Sequence, residues 1–150
     1  MKSNEVFEMG WSLKGSRCYA TRSGRSSKRL SFISAIASTA KSEFITPMIF
    51  EGCCTRSVFE EWLCCFGQHI QEQKQAKDTI VILDNAAFHK GGEIENIARL
   101  YNLHLVYLPP YSPELNPIEK CWAVLKTKVR ILLTQGKELY EALVSVFKSM

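Results

Sequence analysis

Residues 79–89 read TIVILDNAAFH and residues 108–130 read LPPYSPELNPIEKCWAVLKTKVR; these two blocks decide the fold. In the first, Ile80, Val81, Ile82 and Leu83 form an apolar run ending at Asp84. That is the pattern of a buried strand delivering a polar side chain at its carboxyl end. In the second, Glu119 opens a helix behind a proline-rich turn. The 34 residues between Asp84 and Glu119 hold a short helical stretch, GGEIENIARLYN, and a further strand, LHLVYL. Strand, helix, strand is a parallel crossover, and ligand sites in open α/β sheets lie outside the carboxyl ends of such strands, where Asp84 falls.

Each acid also has an ordinary structural reading. Asp84 can cap a turn by accepting from the next backbone amides. With Asn116 as helix cap and Pro117 at the first helical position, Glu119 stands third, the place from which a capping-box glutamate reaches back to the Asn116 amide. The helix face gives Glu119 a second context. At about 100° per residue, Ala123, Lys126 and Arg130 fall within about 40° of Glu119. Ile118, Cys121, Trp122, Leu125, Val129 and Leu132 take the apolar side, so Glu119 heads a basic stripe.

Working outward, 150 residues with 46% hydrophobic content fit one globular domain with a real core and exclude a disordered tail. The formal net charge of +4 permits an anionic partner without requiring one. The chain has no apolar run of membrane-spanning length, and its opening lacks the apolar centre of a signal peptide, so a cytoplasmic location is expected. Six cysteines, four of them in the adjacent pairs Cys53-Cys54 and Cys64-Cys65, make no secreted disulfide framework and read as reduced thiols.

Upstream, Arg17, Arg22, Arg25, Lys28 and Arg29 lie among serines and glycines with no acid between them. This basic loop suits phosphate contact, and equally a solvated hairpin tip. LSFISAIAS (30–38) and FITPMIF (44–50) read as a hairpin, with Pro47 placing the second strand at an edge or a bulge. Thr55 is a helix cap, and Phe59, Trp62, Leu63, Phe66 and Ile70 recur at helical spacing as a core-facing stripe. Gln135-Gly136 ends the long helix, and a closing helix buries Leu139, Ala142, Leu143, Val146 and Phe147.

Two acids from separate elements meeting at one end of a sheet suit Mg²⁺, which takes oxygen ligands and keeps positions open for substrate phosphate. Paired ions can activate an attacking oxygen and stabilise a leaving one. A carboxylate pair for sugar hydrolysis is a formal alternative that has no need of the adjacent basic stripe.

LDNAAFH and LPPYSPELNPIEKCWAVLK resemble the signatures of DDE transposases of the mariner superfamily, in particular its bacterial insertion-sequence relatives, and the spacing of Asp84 and Glu119 is similar to that family's. GWSLKGSRCYA, KRLSFISAIAS and MIFEGCCTRSVFEEWL resemble the upstream part of the same domain, so the likeness covers nearly the whole chain. It implies an α/β, ribonuclease H-like mixed sheet flanked by helices, with Mg²⁺ or Mn²⁺ held at three acids. It also implies cleavage at transposon ends by water and strand transfer by the freed 3′-hydroxyl. Asp84 takes the place of the second acid and Glu119 that of the third. Arg22, Arg25, Lys28, Arg29, Lys126 and Arg130 are the expected DNA contacts.

The sequence departs from the family at the first acid, an aspartate on the opening central strand. Asp78 is the earliest aspartate, and only Glu5 and Glu8 precede Gly10. The family's helix-turn-helix segment is likewise not found. The expectation is therefore a carboxyl-terminal part of a transposase catalytic domain, inactive alone, arising as a remnant or as the downstream product of a frameshifted element. An upstream-frame segment and a second copy of the chain are its candidate partners beside DNA. The alternative reading is a DNA-binding remnant without catalysis, and a different metal-dependent nuclease of the same fold is disfavoured by the proline-rich block.

Overall fold

The computed structural model describes residues 13–15, 29–37, 43–73, 79–110 and 112–149. Strands β1 (Leu30–Ile36) and β2 (Phe44–Glu51) form the expected antiparallel hairpin. Helix α1 (Arg56–Glu72) follows. β3 (Thr79–Leu83), α2 (Gly92–Leu100) and β4 (Leu103–Tyr107) make the crossover, with β3 and β4 paired in parallel. α3 (Ile118–Thr134) and α4 (Leu139–Ser149) close the described chain. Among the described residues the strands form two separate two-stranded sheets, β1-β2 and β3-β4.

Pro47 lies in a bulge. Ile33 pairs with Met48 but Ala35 with Ile45, so Thr46 and Pro47 together face Ser34. Thr46 takes a positive φ of 47°, and its carbonyl accepts from the Trp62 indole at 2.8 Å, which ties the bulge to α1. The extra residue also reverses which way the strand's side chains point. Phe44 and Ile49 pack on one core while Ile45 and Met48 pack on the other, although alternation without a bulge would separate them differently.

The hairpin thus lies between two cores. On one side are Phe59, Trp62, Leu63, Phe66 and Ile70 of α1, joined by Ile94 and Ala98 of α2 and by Val81, Leu83 and Leu103 of the parallel pair. On the other, Leu125 and Val129 of α3 meet Leu139, Ala142, Leu143 and Val146 of α4. Trp122 stacks on Phe44 with ring centroids 4.9 Å apart, and Phe147 meets the edges of Phe32 and Phe44. Thr55 caps α1 by accepting from the Val58 amide. At the end of α3, the Gly136 amide donates to the Leu133 carbonyl and the Lys137 amide to that of Leu132, with Gly136 at φ 86°. This paired bonding around a left-handed residue is why Gln135-Gly136 stops the helix.

β3 departs from expectation. Val81 and Leu83 are buried, but Ile80 and Ile82 are 64% and 55% exposed, and Val106 of β4 shares their open face. A strand buried on both faces needs a layer on each. α1 and α2 cover one face of the parallel pair, whereas α3 and α4 pack through Leu30, Phe32, Phe44 and Ile49 onto the hairpin.

A close approach explains Gly67, which sits buried in α1 against Tyr101. A Cβ there would stand 2.3 Å from the Tyr101 ring carbon Cγ, so α1 and the end of α2 would have to part. Alanine gains about 1 kcal/mol of helix propensity, but overpacking of this kind costs about 1–3 kcal/mol. Gly67→Ala is expected to lower the urea midpoint, and an unchanged or raised midpoint would show that the two helices separate freely.

Candidate active site

β3 delivers Asp84 at its carboxyl end, where the chain turns into a short 3-10 segment, Ala87–His89. The turn-capping reading of Asp84 is realised: Oδ1 accepts from the Ala86 amide at 3.2 Å. The same oxygen lies 2.6 Å from Nδ1 of His89. The Asp84 side chain is nevertheless 59% exposed, so its carboxylate remains open to solvent.

The second acid arrives by way of a proline-rich connection. The Leu108 amide continues the β3-β4 ladder to the Leu83 carbonyl at 2.8 Å, after which Pro109 and Pro110 turn the chain towards Pro113–Leu115, a second 3-10 segment. Asn116 is extended (φ −98°, ψ 102°), and its Oδ1 accepts from the Ile118 amide at 3.4 Å, the bonding of a helix cap. The reciprocal half of a capping box is not made, because the Asn116 amide donates to the Pro113 carbonyl at 3.0 Å. Glu119 is therefore exposed on the first turn of α3 without a capping duty.

Asp84 and Glu119 open onto the same cavity, of about 440 Å³, together with Asn85, Asn116 and the prolines of the connection. The donors are oxygens, two carboxylates and two carboxamides, which fit a hard divalent cation better than a soft one. Among the described residues, no group of three or more His, Cys, Asp or Glu side chains stands ready to hold a metal. The cavity thus presents two acids, with no third beside them among the described residues.

Along α3, Lys126 and Arg130 are exposed and stand about 10 and 16 Å from Glu119 down the helix axis. Neither forms an ion pair among the described residues. Arg29 is exposed just ahead of β1. Arg22, Arg25 and Lys28 lie outside the described residues.

Sequence reasoning passed over His89, one of the few buried polar side chains. It lies between Phe59 and Phe88, each with its ring centroid 4.3 Å away. Its carbonyl accepts from the Tyr107 hydroxyl at 2.8 Å. Burial first, and then the charge of Glu95, pushes the Tyr107 hydroxyl's pKa up. The available signal was a histidine five residues after the acid, next to Phe88 in a segment otherwise suited to burial.

The described cysteines are free thiols, and burial pushes Cys54 and Cys64 up, Cys64 being raised further by Cys65, Glu60 and Glu61. No helix among the described residues is long and apolar enough to cross a membrane.

Residues 1–139 match a family described as DDE superfamily endonuclease. An uncharacterised protein of Sinorhizobium fredii, y4pE/y4sA, is 32% identical over 73 residues, covering 49% of this chain and 50% of its own length. The transposable element Tc3 transposase of Caenorhabditis elegans is 39% identical over 54 residues, covering 36% of this chain and 16% of its own. The chain therefore spans half or less of these relatives. In three dimensions, the Mos1 transposase of a paired-end complex with left transposon end superposes with a TM-score of 0.62 at 15% identity, covering 94% of this chain and 47% of that one. The fold is accordingly similar to that of this transposase, a mixed α/β architecture of the ribonuclease H-like type.

Proposed function

The chain belongs to the DDE superfamily endonucleases, and from that membership we propose that it is the carboxyl-terminal part of a mariner-type transposase catalytic domain, acting on DNA with Mg²⁺ or Mn²⁺. The observation that carries the reading is the shared cavity of Asp84 and Glu119, the latter released from helix capping. Asp84 and Glu119 would hold the cation. When bound, a cation of this kind neutralises a phosphoryl oxygen and lowers the pKa of an attacking water. The protein's own part is to fix two carboxylates at the end of a strand and the start of a helix, and to lay the DNA backbone along the exposed face of α3.

The cavity holds two acids among the described residues against the three that the family resemblance implies, and the open face of Ile80, Ile82 and Val106, with the described strands divided between two sheets, supports a requirement for a further strand. A segment carrying the first aspartate would supply both. The test compares the chain alone with the chain fused to the acid-bearing opening strand of a full-length family member, using a supercoiled plasmid with transposon ends and Mg²⁺ or Mn²⁺. Nicking by the fusion and none by the chain alone is expected. Metal-dependent nicking by the unfused chain, abolished by Asp84→Ala, would mean that it contains a complete site, with Glu5 or Glu8 as the third acid. A folded but inert fusion would overturn the catalytic reading in favour of a DNA-binding remnant.

DNA contact by α3 is separately measurable. Phosphate contacts release counterions and carry no base information, so binding should be salt-sensitive and largely independent of sequence. Lys126→Gln and Arg130→Gln are each expected to weaken binding and to reduce the salt slope by about 1. Arg22, Arg25, Lys28 and Arg29 are proposed as further phosphate contacts. Fluorescence anisotropy across a salt series checks this, and an unchanged slope in the double variant would leave the α3 face merely solvated.

A further inference from the structure

Resting on the reading of Asp84 as a cation ligand, we propose that His89 is the positioning residue of that ligand: it holds Oδ1 and so commits Oδ2 to the cation. An aspartate at the end of a strand, more than half exposed, would otherwise turn freely about its last two side-chain bonds. Two donors restrain this one. The Ala86 amide reaches Oδ1 at 3.2 Å and Nδ1 of His89 stands 2.6 Å from the same atom. An ionised carboxylate offers only acceptors, so a nitrogen at that distance must carry the proton. The result is a short, charge-assisted bond with Nδ1 as donor. Nδ1 also lies 3.3 Å from the Asp84 backbone carbonyl, so the ring grips main chain and side chain of the same residue.

The imidazole is itself immobilised. Its side chain is 11% exposed, clamped between Phe59 of α1 and Phe88, while Tyr107 of β4 holds its carbonyl. Register places Tyr107 opposite Leu83, the residue before Asp84. A hydrogen-bonded chain therefore runs from β4 through His89 to the acid, and the orientation of the carboxylate is set by the packing of α1 on the parallel pair. Partners of ligating groups typically govern metal affinity by about 10–100-fold.

The test uses the full chain and Mn²⁺ itself. Long-range ¹H–¹⁵N NMR of the metal-free protein reads the ring directly, and a protonated Nδ1 on His89 is expected; an unprotonated Nδ1 overturns the proposal. Mn²⁺ titration then follows the broadening of the Asn85 and Ala86 amides. His89→Ala and His89→Phe should raise the Mn²⁺ concentration for half-broadening by about 10-fold. His89→Asn, whose amide can donate from near the Nδ1 position, should restore most of it, a rescue that a packing role alone would not produce. Failure of His89→Asn to restore affinity in a folded chain, or unaltered affinity in the alanine and phenylalanine variants, overturns the positioning role. If Asp84→Ala leaves the broadening unchanged, the cation site itself is wrong, and the inference falls with it by a recognisably different route.

Discussion

Asp84→Ala and Glu119→Ala are each expected to lower metal-dependent nicking by ~10³-fold or more in a chain completed with an acid-bearing opening strand. A cation at a reacting phosphoryl group contributes several kcal/mol of charge stabilisation, and each 1.36 kcal/mol is about tenfold in rate. Losing a carboxylate removes both a ligand and the negative charge that retains the ion. Asp84→Asn separates this from structure, because its carboxamide oxygen can still accept from the Ala86 amide as Oδ1 does. The asparagine variant, which keeps an acceptor but loses the charge facing His89, should melt closer to the parent chain than the alanine variant does and yet nick no better than it. For Glu119 the structural expectation is milder still, since the Asn116 amide is already satisfied by Pro113. Rates within tenfold of the parent for either alanine variant, at saturating Mg²⁺ and with melting temperature unchanged, would remove that residue from the site.

Phe59→Ala should be the most damaging single change to the fold, by about 3–5 kcal/mol, the range for truncating a buried aromatic. Against a typical total of about 5–15 kcal/mol, that is a large share. Phe59 is 1% exposed and touches Trp62, Phe88 and His89, so the cavity left behind lies where α1, the turn after β3 and the parallel pair meet. The variant should also loosen His89 and with it Asp84, although Phe59 is not a lining residue of the acid cavity. Urea unfolding measures the first effect. A change under about 1 kcal/mol would mean that the site collapses around the void or that Phe59 packs less tightly than its burial indicates.

Much of this was legible along the chain because it depends on neighbours in sequence. The helical stripe of Phe59, Trp62, Leu63, Phe66 and Ile70 is buried as its spacing requires, and the crossover from β3 through α2 to β4 follows from the alternation of strand and helix patterns. Thr55, Gly136 and Asn116 mark helix ends by local chemistry that needs no tertiary context. The metal-ligand roles proposed for Asp84 and Glu119 come from the family resemblance, since spacing alone could not assign them.

Tertiary packing decided what local pattern leaves degenerate. Ile80 and Ile82 look as buried as Val81 and Leu83 in sequence, but only one face of β3 meets a helix layer in the described chain. Pro47 permitted an edge or a bulge, and contact with Trp62 of α1 accompanies the bulge that distributes Phe44, Ile45, Met48 and Ile49 between two cores. Glu119 had the spacing of a capping box, and a competing acceptor at Pro113, supplied by the turn before the helix, took the amide that a box would have used. His89 became visible only when Phe59 closed over it, because a histidine's burial and its choice of partner are set by elements distant in sequence, whereas helix periods and caps are set within a few residues of themselves.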